Sequence, residues 1–434
     1  MSKQGDRKII LGIAGLGTVG AGVVKIVERH VGLLADRAGC AIEIRAVSAR
    51  DRSRDRGIDV SGYDWYDNPV DLASPESGVN VVVELIGGSD GPALALAREA
   101  LGRGIGFVTA NKALIATHGK ELAALAEEKG AALKFEAAVA GGIPIIKALR
   151  EGLAGNAIAS VRGILNGTCN YILTRMEREG LAFDDVLKDA QQLGYAEADP
   201  TFDIDGIDTA HKTAILASLA FGTEPDIENL PTEGIRTIAP VDIEYAKELG
   251  YRIKLLGVAQ HTDEGIETRV HPAMVPTRAA IANVMDATNA VVVEGDAVGQ
   301  TVYEGAGAGE GPTASAVLAD ILDVARGVGG PSLGIPADRL KASAPVPVEK
   351  HRGTYYIRLR VGDRPGVMAD ITKILAEENV SIESMLQRGR ADDGGVYIVL
   401  TTHETVEASV AATLDRFTQL DCVLETPTML RIEA

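Results

Sequence analysis

Cysteine is scarce in this chain. There are 3, Cys40, Cys169 and Cys422. The count is odd, the spacing is wide and no CxxC pair occurs, so a disulfide framework is excluded and a reducing cytoplasm fits. The 7 histidines are scattered without an HExxH, and no zinc site is read from them. Aromatic residues are only 4%. No apolar run reaches the length of a membrane span. The first fifteen or so residues hold one short apolar run that reads as a strand, not a signal peptide. Positive charge is also short: 43 Lys and Arg against 61 Asp and Glu leave a net −18. That argues against nucleic acid and anionic membranes as partners. What is plentiful is apolar residues, at 46%, and glycine, with 49. At 434 residues the chain calls for two or three domains of closely packed α/β layers.

The start sets the first domain. The apolar run Lys8–Ala14 leads into Gly15-Leu16-Gly17-Thr18-Val19-Gly20, then a helical pattern to His30. This is GxGxxG between a strand and a helix. The glycines allow a tight turn, close approach of a pyrophosphate, and helix–strand packing, while the helix N-terminus supplies amide donors. Later segments alternate between strand and helix patterns, ending with a strand over Ala132–Val139. The fold class is therefore α/β, a Rossmann-type doubly wound parallel sheet. The second strand ends at Arg50, followed by Arg52, Arg54 and Arg56. An arginine there pairs with a 2′-phosphate and favours NADP, although NAD remains compatible and a solvated basic loop is the alternative. Two further loops face the cofactor side: Glu84 to Gly88, with Gly87 as a contact, and Thr109 to Leu114, where Lys112 follows a strand end. Alone, Lys112 would pass for a surface lysine.

One stretch concentrates carboxylates: GYAEADPTFDIDGIDTAHK, Gly194 to Lys212. Gly194 ends the preceding helix. Asp205, Asp208 and Lys212 are spaced to share one face of a helix beginning near Asp205. Such a loop and helix can bind a cationic polar molecule and move a proton; an N-capped surface helix is the plain alternative, and it covers Asp203 and Asp205. His211 points away from that face and reads as structural.

The remaining chain divides as follows. Residues 1–140, with a returning segment at 305–330, form the dinucleotide domain. Residues 141–304 form an α+β catalytic and dimerisation domain with its own sheet. A proline-bearing linker covers 331–349, and 350–434 has the βαββαβ order of a ferredoxin-like module. The glycine-rich run Glu304 to Thr313 opens a helix that packs back on the first domain and lets the backbone approach the cofactor a second time, a flexible linker being the alternative.

Taken in order, GIAGLGTVGAGV, VTANKALIA, FEAAVAGGIPII, ILNGTCNYIL, GYAEADPTFDIDGIDTAHK and YEGAGAGEGPTASAV resemble the homoserine dehydrogenase family over nearly the whole chain. That family reduces L-aspartate 4-semialdehyde to L-homoserine with NAD(P)H. The resemblance implies that Glu197 and Asp208 hold the substrate. In the family both lysines are candidates for the acid–base role; proton donation is read for Lys212, with Asp208 orienting it, and positioning of the carbonyl or carboxylate for Lys112. The resemblance also implies a sodium ion held by Glu136 with main-chain oxygens of Val139, Gly141 and Ile143, where the residues themselves read better as a glycine hinge opening a helix over Ile145–Leu153. Gly194 and Gly309 join Gly15 to Gly20, Arg50, Gly87 and Lys112 as expected cofactor contacts. The tail segment VGDRPGVMADITKILAEENVSIESM is similar to an ACT domain. Asp363, Gly366 and Asn379 then lie where such modules bind an amino acid, which by analogy is threonine acting in feedback; a dimerisation module without ligand is the alternative. A homodimer or homotetramer is expected. Two other readings are weaker. An aldehyde-oxidising enzyme would need a nucleophilic cysteine, and only Cys169 is near. A non-catalytic amino-acid sensor leaves Lys112 and the Asp208–Lys212 pair without a purpose.

Overall fold

A computed structural model describes residues 8–388 and 395–433. Its first strand, β1 (Lys8–Ala14), alternates its apolar side chains between two faces. It is followed by α1 (Thr18–Arg29), α2 (Val31–Ala38), β2 (Ala41–Ser48), β3 (Asp64–Tyr66) and β4 (Val81–Glu84). Then come α3 (Pro92–Gly102), β5 (Gly106–Thr109), α4 (Lys112–Lys129) and β6 (Leu133–Lys134). The strands form a parallel sheet in the order β3-β2-β1-β4-β5-β6. Both faces must be covered in such a sheet. Leu11, Ile13, Val81 and Val83 pack with α1 and α2 on one face, while Val82 and Phe107 pack with α3 and α4 on the other. The strand expected over Ala132–Val139 is cut to two residues, because the chain turns at Glu136–Ala138.

The chain then leaves this layer at a corner where Ala140 (φ 56°) and Gly141 (φ 45°) are left-handed. It continues through α5 (Ile145–Lys147), β7 (Ile158–Ile164), α6 (Gly167–Glu179), α7 (Phe183–Gln192), α8 (Thr201–Ile204) and α9 (Ile207–Phe221). After these come α10 (Pro240–Glu248), β8 (Tyr251–Thr262), β9 (Gly265–Pro276), β10 (Thr288–Gly295) and β11 (Gly299–Ala306). The helix expected over Ile145–Leu153 is α-helical only to Lys147; Ala148–Gly152 widens into a π-turn. Next, α11 (Glu310–Arg326) returns to the first sheet. There Lys25 of α1 pairs with Glu310 at 2.9 Å, and Ala314, Val317 and Ile321 join the core above Leu11 and Ile13.

Residues 331–349 are strapped down, not loose. Lys341 N donates to Gly222 O at 3.1 Å and Val346 N to Ile266 O at 2.9 Å. The tail holds β12 (Arg352–Gly362), α12 (Val367–Glu377), β13 (Ile382–Arg388), β14 (Gly395–Thr402), β15 (Thr405–Val406), α13 (Glu407–Phe417) and β16 (Thr428–Ile432). This is the expected ferredoxin-like order, with the short β15 added against β12. The tail sheet does not stand apart. β16 pairs in parallel with β9 through Arg431↔Ala273 and Ile432↔Met274, so one sheet runs β11-β10-β7-β8-β9-β16-β12-β14-β13. Tyr356, Val399 and Leu430 of the tail are buried in the same core as Ile172, Leu255 and Met274. No helix among the described residues is long and apolar enough to cross a membrane.

Candidate active site

The glycine loop behaves as its spacing requires. Gly15 has φ 98° and its N donates to Ser48 O at 2.8 Å. A Cβ there would meet Leu85 O at 2.5 Å, and one on Gly20 would meet Gly15 O at 2.1 Å. Gly17, by contrast, faces open space. Leu16 is buried, whereas Thr18 and Val19 begin α1 at the mouth of the loop. The loop thus packs tightly at its two ends and leaves its middle open at a helix N-terminus, a cradle suited to a pyrophosphate. Arg56 adds a strut that sequence reading missed, donating from Nε to Leu16 O at 3.0 Å and from Nη2 to Asp51 O at 2.5 Å. Arg50 is exposed at the end of β2, and Arg52 lies over the Trp65 ring at 5.6 Å.

Across the cleft, α9 carries the acid–lysine pair. Its N-cap is Gly206 at φ 83°, so the helix starts at Ile207 and not near Asp205. Asp205 therefore leaves the shared face and pairs with Arg236 instead. Asp208 sits in the first turn, where the helix N-terminus favours a carboxylate. Lys212, one turn on, donates to Asp208 Oδ2 at 2.7 Å and to Leu165 O, just past the end of β7, at 2.6 Å. Lys112 reaches over from the first residue of α4 and pairs with Asp208 Oδ1 at 2.7 Å. One carboxylate thus bridges two ammonium groups from opposite sides of the cleft. Burial alone would raise the Asp208 carboxyl, but Lys212 and then Lys112 outweigh it and hold it well below the usual carboxylate range. Burial pushes the Lys212 ammonium down from the ordinary lysine value, with Asp208 opposing and Lys112 adding to the fall.

Sequence reading missed several supporting groups. Asn166 donates from Nδ2 to Asp208 Oδ2 at 2.9 Å and to Asp203 Oδ1 at 2.8 Å, while its Oδ1 caps α6 through Cys169 N. Asp203 is therefore part of the site and not only a cap; burial raises its carboxyl and the Asn166 bond opposes this. Phe202 lies 5.3 Å from the Lys112 ammonium, a cation–π contact on the exposed rim. The cue that could have found Asn166 is an N-cap asparagine following a strand that ends opposite the acidic helix.

Other expected residues are placed less centrally. Glu197 and Gly194 lie on the exposed loop after α7. Gly194 has φ 77° and closes that helix, and Glu197 O accepts from Gln191 Nε2 at 3.0 Å. The Glu197 carboxylate does not join the bridge. Gly87 has φ 87° and faces open space, as does Gly88. Gly309, φ 116°, is the N-cap of α11. The Cys169 thiol is fully buried, donates to Asp203 O at 3.2 Å, and burial raises it well above its ordinary value; it cannot serve as the nucleophile an aldehyde-oxidising enzyme needs.

At the corner after β6, Glu136 is buried and its two carboxylate oxygens accept from Ile146 N at 3.0 Å and Lys147 N at 2.9 Å. Burial, with Asp320 nearby, pushes its carboxyl up to about 7. Ile143 O accepts from Ile145 N at 2.8 Å, whereas Val139 is extended and Gly141 lies in the left-handed corner. All these donors are oxygens, as a small hard cation requires. Among the described residues no group of three or more His, Cys, Asp or Glu side chains gathers as a metal site.

In the tail, Asp363 and Gly366 line a cleft of about 350 Å³ at the N-terminus of α12. Asn379 (φ 59°) follows the other end of that helix. Eleven helical residues separate them, on the order of 16 Å. Within one chain the three do not come together; Asn379 has a backbone reason to be there, since asparagine tolerates a left-handed turn.

The family model for the homoserine dehydrogenase NAD binding domain matches residues 15–136, that for homoserine dehydrogenase matches residues 144–322, and that for the ACT domain matches residues 355–422. The chain is 46% identical to a homoserine dehydrogenase of Neisseria gonorrhoeae over 99% of both chains. It is also 46% identical to one of Pseudomonas aeruginosa over 98% of this chain and 99% of that one. A crystal structure of a homoserine dehydrogenase from Thiobacillus denitrificans superimposes with a TM-score of 0.93, at 48% identity and 98% coverage of each chain.

Proposed function

This chain belongs to the homoserine dehydrogenase family, a nicotinamide-dependent group of oxidoreductases, and from that premise we propose how its residues share the reduction of L-aspartate 4-semialdehyde to L-homoserine. The observation that carries the reading is the Lys112–Asp208–Lys212 bridge across the cleft. The nicotinamide cofactor, when bound, supplies the hydride. Lys212 donates the proton to the aldehyde oxygen. Its ammonium is aimed by Asp208 and Leu165 O, and burial weakens its hold on the proton. Asp208 prefers this ammonium charged and so keeps the donor loaded. Lys112, more open to the cleft, positions the carbonyl or the substrate carboxylate. Glu197, on the exposed loop after α7, is assigned to the substrate ammonium.

Arg50 takes the 2′-phosphate, so the cofactor is NADP in preference to NAD. The contacts run from Gly15 through Gly20, then Gly87, Lys112, Gly194 and Gly309. A sodium ion would be held by main-chain oxygens of Val139, Gly141 and Ile143 with Glu136 behind them; unchanged sodium NMR relaxation on adding the protein would refute this. The domains divide at 140, 304, 330 and 349, with 305–330 returning to the first. The tail binds threonine between copies of a homodimer or homotetramer and slows the enzyme, a step in threonine, methionine and isoleucine synthesis in the cytoplasm. The cleft at Asp363 and Gly366 supports this.

One set of assays tests the reading. Absorbance of NADPH and of NADH is followed with L-aspartate 4-semialdehyde, with and without threonine. Turnover with NADPH above that with NADH, reduced by threonine, is expected. No turnover with either cofactor would overturn the catalytic roles, and indifference to threonine would overturn the regulatory one.

A further inference from the structure

One buried acid takes no part in the bridge. Glu84, the last residue of β4, is fully buried. Its Oε1 accepts from Ile86 N at 2.6 Å and Gly87 N at 3.1 Å, and its Oε2 accepts from Thr109 Oγ1 at 2.6 Å. Thr109 Oγ1 in turn accepts from Asn111 N at 2.9 Å and keeps its own proton for Glu84. Only donors converge on Glu84, the pattern of a carboxylate and not of a carboxylic acid. Among the described residues no lysine, arginine or histidine forms an ion pair with it. A buried charge without a counterion is costly. A clamp for the loop would not need the charge, since an amide oxygen can accept the same two backbone N–H groups.

The position of the charge suggests its use. The strand order reverses between β1 and β4, and a dinucleotide lies across that reversal at the carboxyl ends of the strands. The Arg50 end belongs to the adenine side, so β4 and β5 lie under the nicotinamide side. Gly87 and Gly88, whose backbones Glu84 and Asn111 hold, face open space there. The oxidised nicotinamide ring carries a positive charge and the reduced ring carries none. We propose that Glu84 discriminates between the two redox states of the cofactor: its unpaired carboxylate, set beneath the loop at Ile86–Gly88, holds the oxidised form more tightly than the reduced form and so favours the direction in which aldehyde is reduced. This rests on the cofactor placement given above. Glu84 acts through the field it sets and through the loop it positions.

The experiment measures dissociation constants for NADPH and NADP+ separately, by calorimetric titration of the full-length protein. Glu84→Gln keeps the shape and removes the charge. It is expected to weaken NADP+ by about tenfold, the scale of one charge acting across a few side chains at protein dielectric, while NADPH changes by less than about twofold. Thr109→Val removes a donor that screens the carboxylate, so it should move the ratio the opposite way and strengthen the relative binding of NADP+. Loosening of the loop would weaken both forms alike in both variants. Equal weakening of the two forms, or shifts of the same sign in both variants, would overturn the proposal. If Glu84→Gln does not fold, the sign from Thr109→Val decides it alone. Wild-type protein that binds neither nucleotide would overturn the cofactor reading itself. A wild type that binds both, with a ratio insensitive to Glu84, would overturn only this inference.

Discussion

Two of the buried clusters of charge among the described residues differ in how completely they are closed. At the cleft, Asp208 holds Lys112 and Lys212, two cations to one anion, and Lys112 remains partly open to solvent. At the seam between β9 and β16, Arg269 donates to Glu267 at 2.7 Å and to Glu433 at 2.6 Å. His351 adds a bond to Glu267 at 3.0 Å, and Arg431 meets Glu407 and Glu233. Nearby, Asp242 of α10 accepts from Tyr356 Oη at 3.0 Å and Arg358 Nε at 2.7 Å. At the seam every cation has an anion and the group faces other protein. At the cleft two lysines share one carboxylate directly, Asp203 is joined only through Asn166, and one edge is open. The first arrangement joins two layers; the second is poised to accept a polar, partly anionic molecule. Burial and ion pairing alone do not distinguish them, whereas stoichiometry and access do.

The comparison can be broken in several ways. The largest effect is expected from removing residues 350–434. The tail supplies Tyr356, Val399 and Leu430 to the core under the catalytic sheet, so the truncated chain should aggregate or melt far below the full-length protein. A soluble, active 1–349 chain in a melting and turnover assay would show that the seam is dispensable. Next, Lys212→Ala should cut turnover by about 10³-fold while NADPH affinity and melting temperature stay near wild type, because Asp208 keeps Lys112. In the wild type, reductive turnover should fall as pH rises through the Lys212 pKa, which lies below the ordinary 10.5. A pH–rate profile with its alkaline limb at or above that value would remove Lys212 as donor.

Glu433→Gln should do the reverse of Lys212→Ala. It leaves Arg269 and its neighbours under-compensated and should cost about 3 kcal/mol of stability, with turnover at 25 °C unchanged. The Glu433 carboxyl is buried, which would raise it, but Arg269 and His271 hold it well below its ordinary 4.5. The unfolded chain therefore takes up a proton that the folded one refuses, and this stabilisation is present above about pH 4.5 and lost as pH falls. Melting temperature should fall more steeply in acid for wild type than for the variant. Slower chemistry in Glu433→Gln would mean the two clusters are not separable. The smallest effect is Tyr356→Phe, about 1 kcal/mol by denaturant titration, because Arg358 still holds Asp242.

Much of this was legible in the residues. The Rossmann layer followed from GxGxxG in context and from strand–helix alternation, which are local signals. Asp208 and Lys212 were legible because four residues make one helical turn. Asp205 was misplaced because Gly206 starts the helix one step later, and a glycine N-cap leaves little trace in periodicity. Asn166 and Glu84 were not singled out, since each matters through partners distant in sequence: Asn166 bridges acids 37 and 42 residues away, and Thr109 is 25 residues from Glu84. The ferredoxin-like order of the tail was legible, but the pairing of β16 with β9 was not, because a parallel pairing between two domains has no sequence signature of its own. Residues 331–349 looked like a spacer for the same reason.

The corner at Ala140–Gly141 has one more consequence. The chain crosses between the two layers three times, outward at residues 140–142, back at 306–309 and outward again through 331–349, and the first two crossings touch. Gly142 N donates to Ala306 O at 2.9 Å, and a Cβ on Gly141 would stand 2.4 Å from Gly307 O. Two straps fastened side by side work as a single pivot. They resist sliding, so any movement of one layer against the other that changes the distance from Lys112 to Lys212 is expected to be a rotation about them. Spectroscopic label pairs can read this: a pair spanning the cleft should change its separation on nucleotide binding, and a pair spanning the crossings should not.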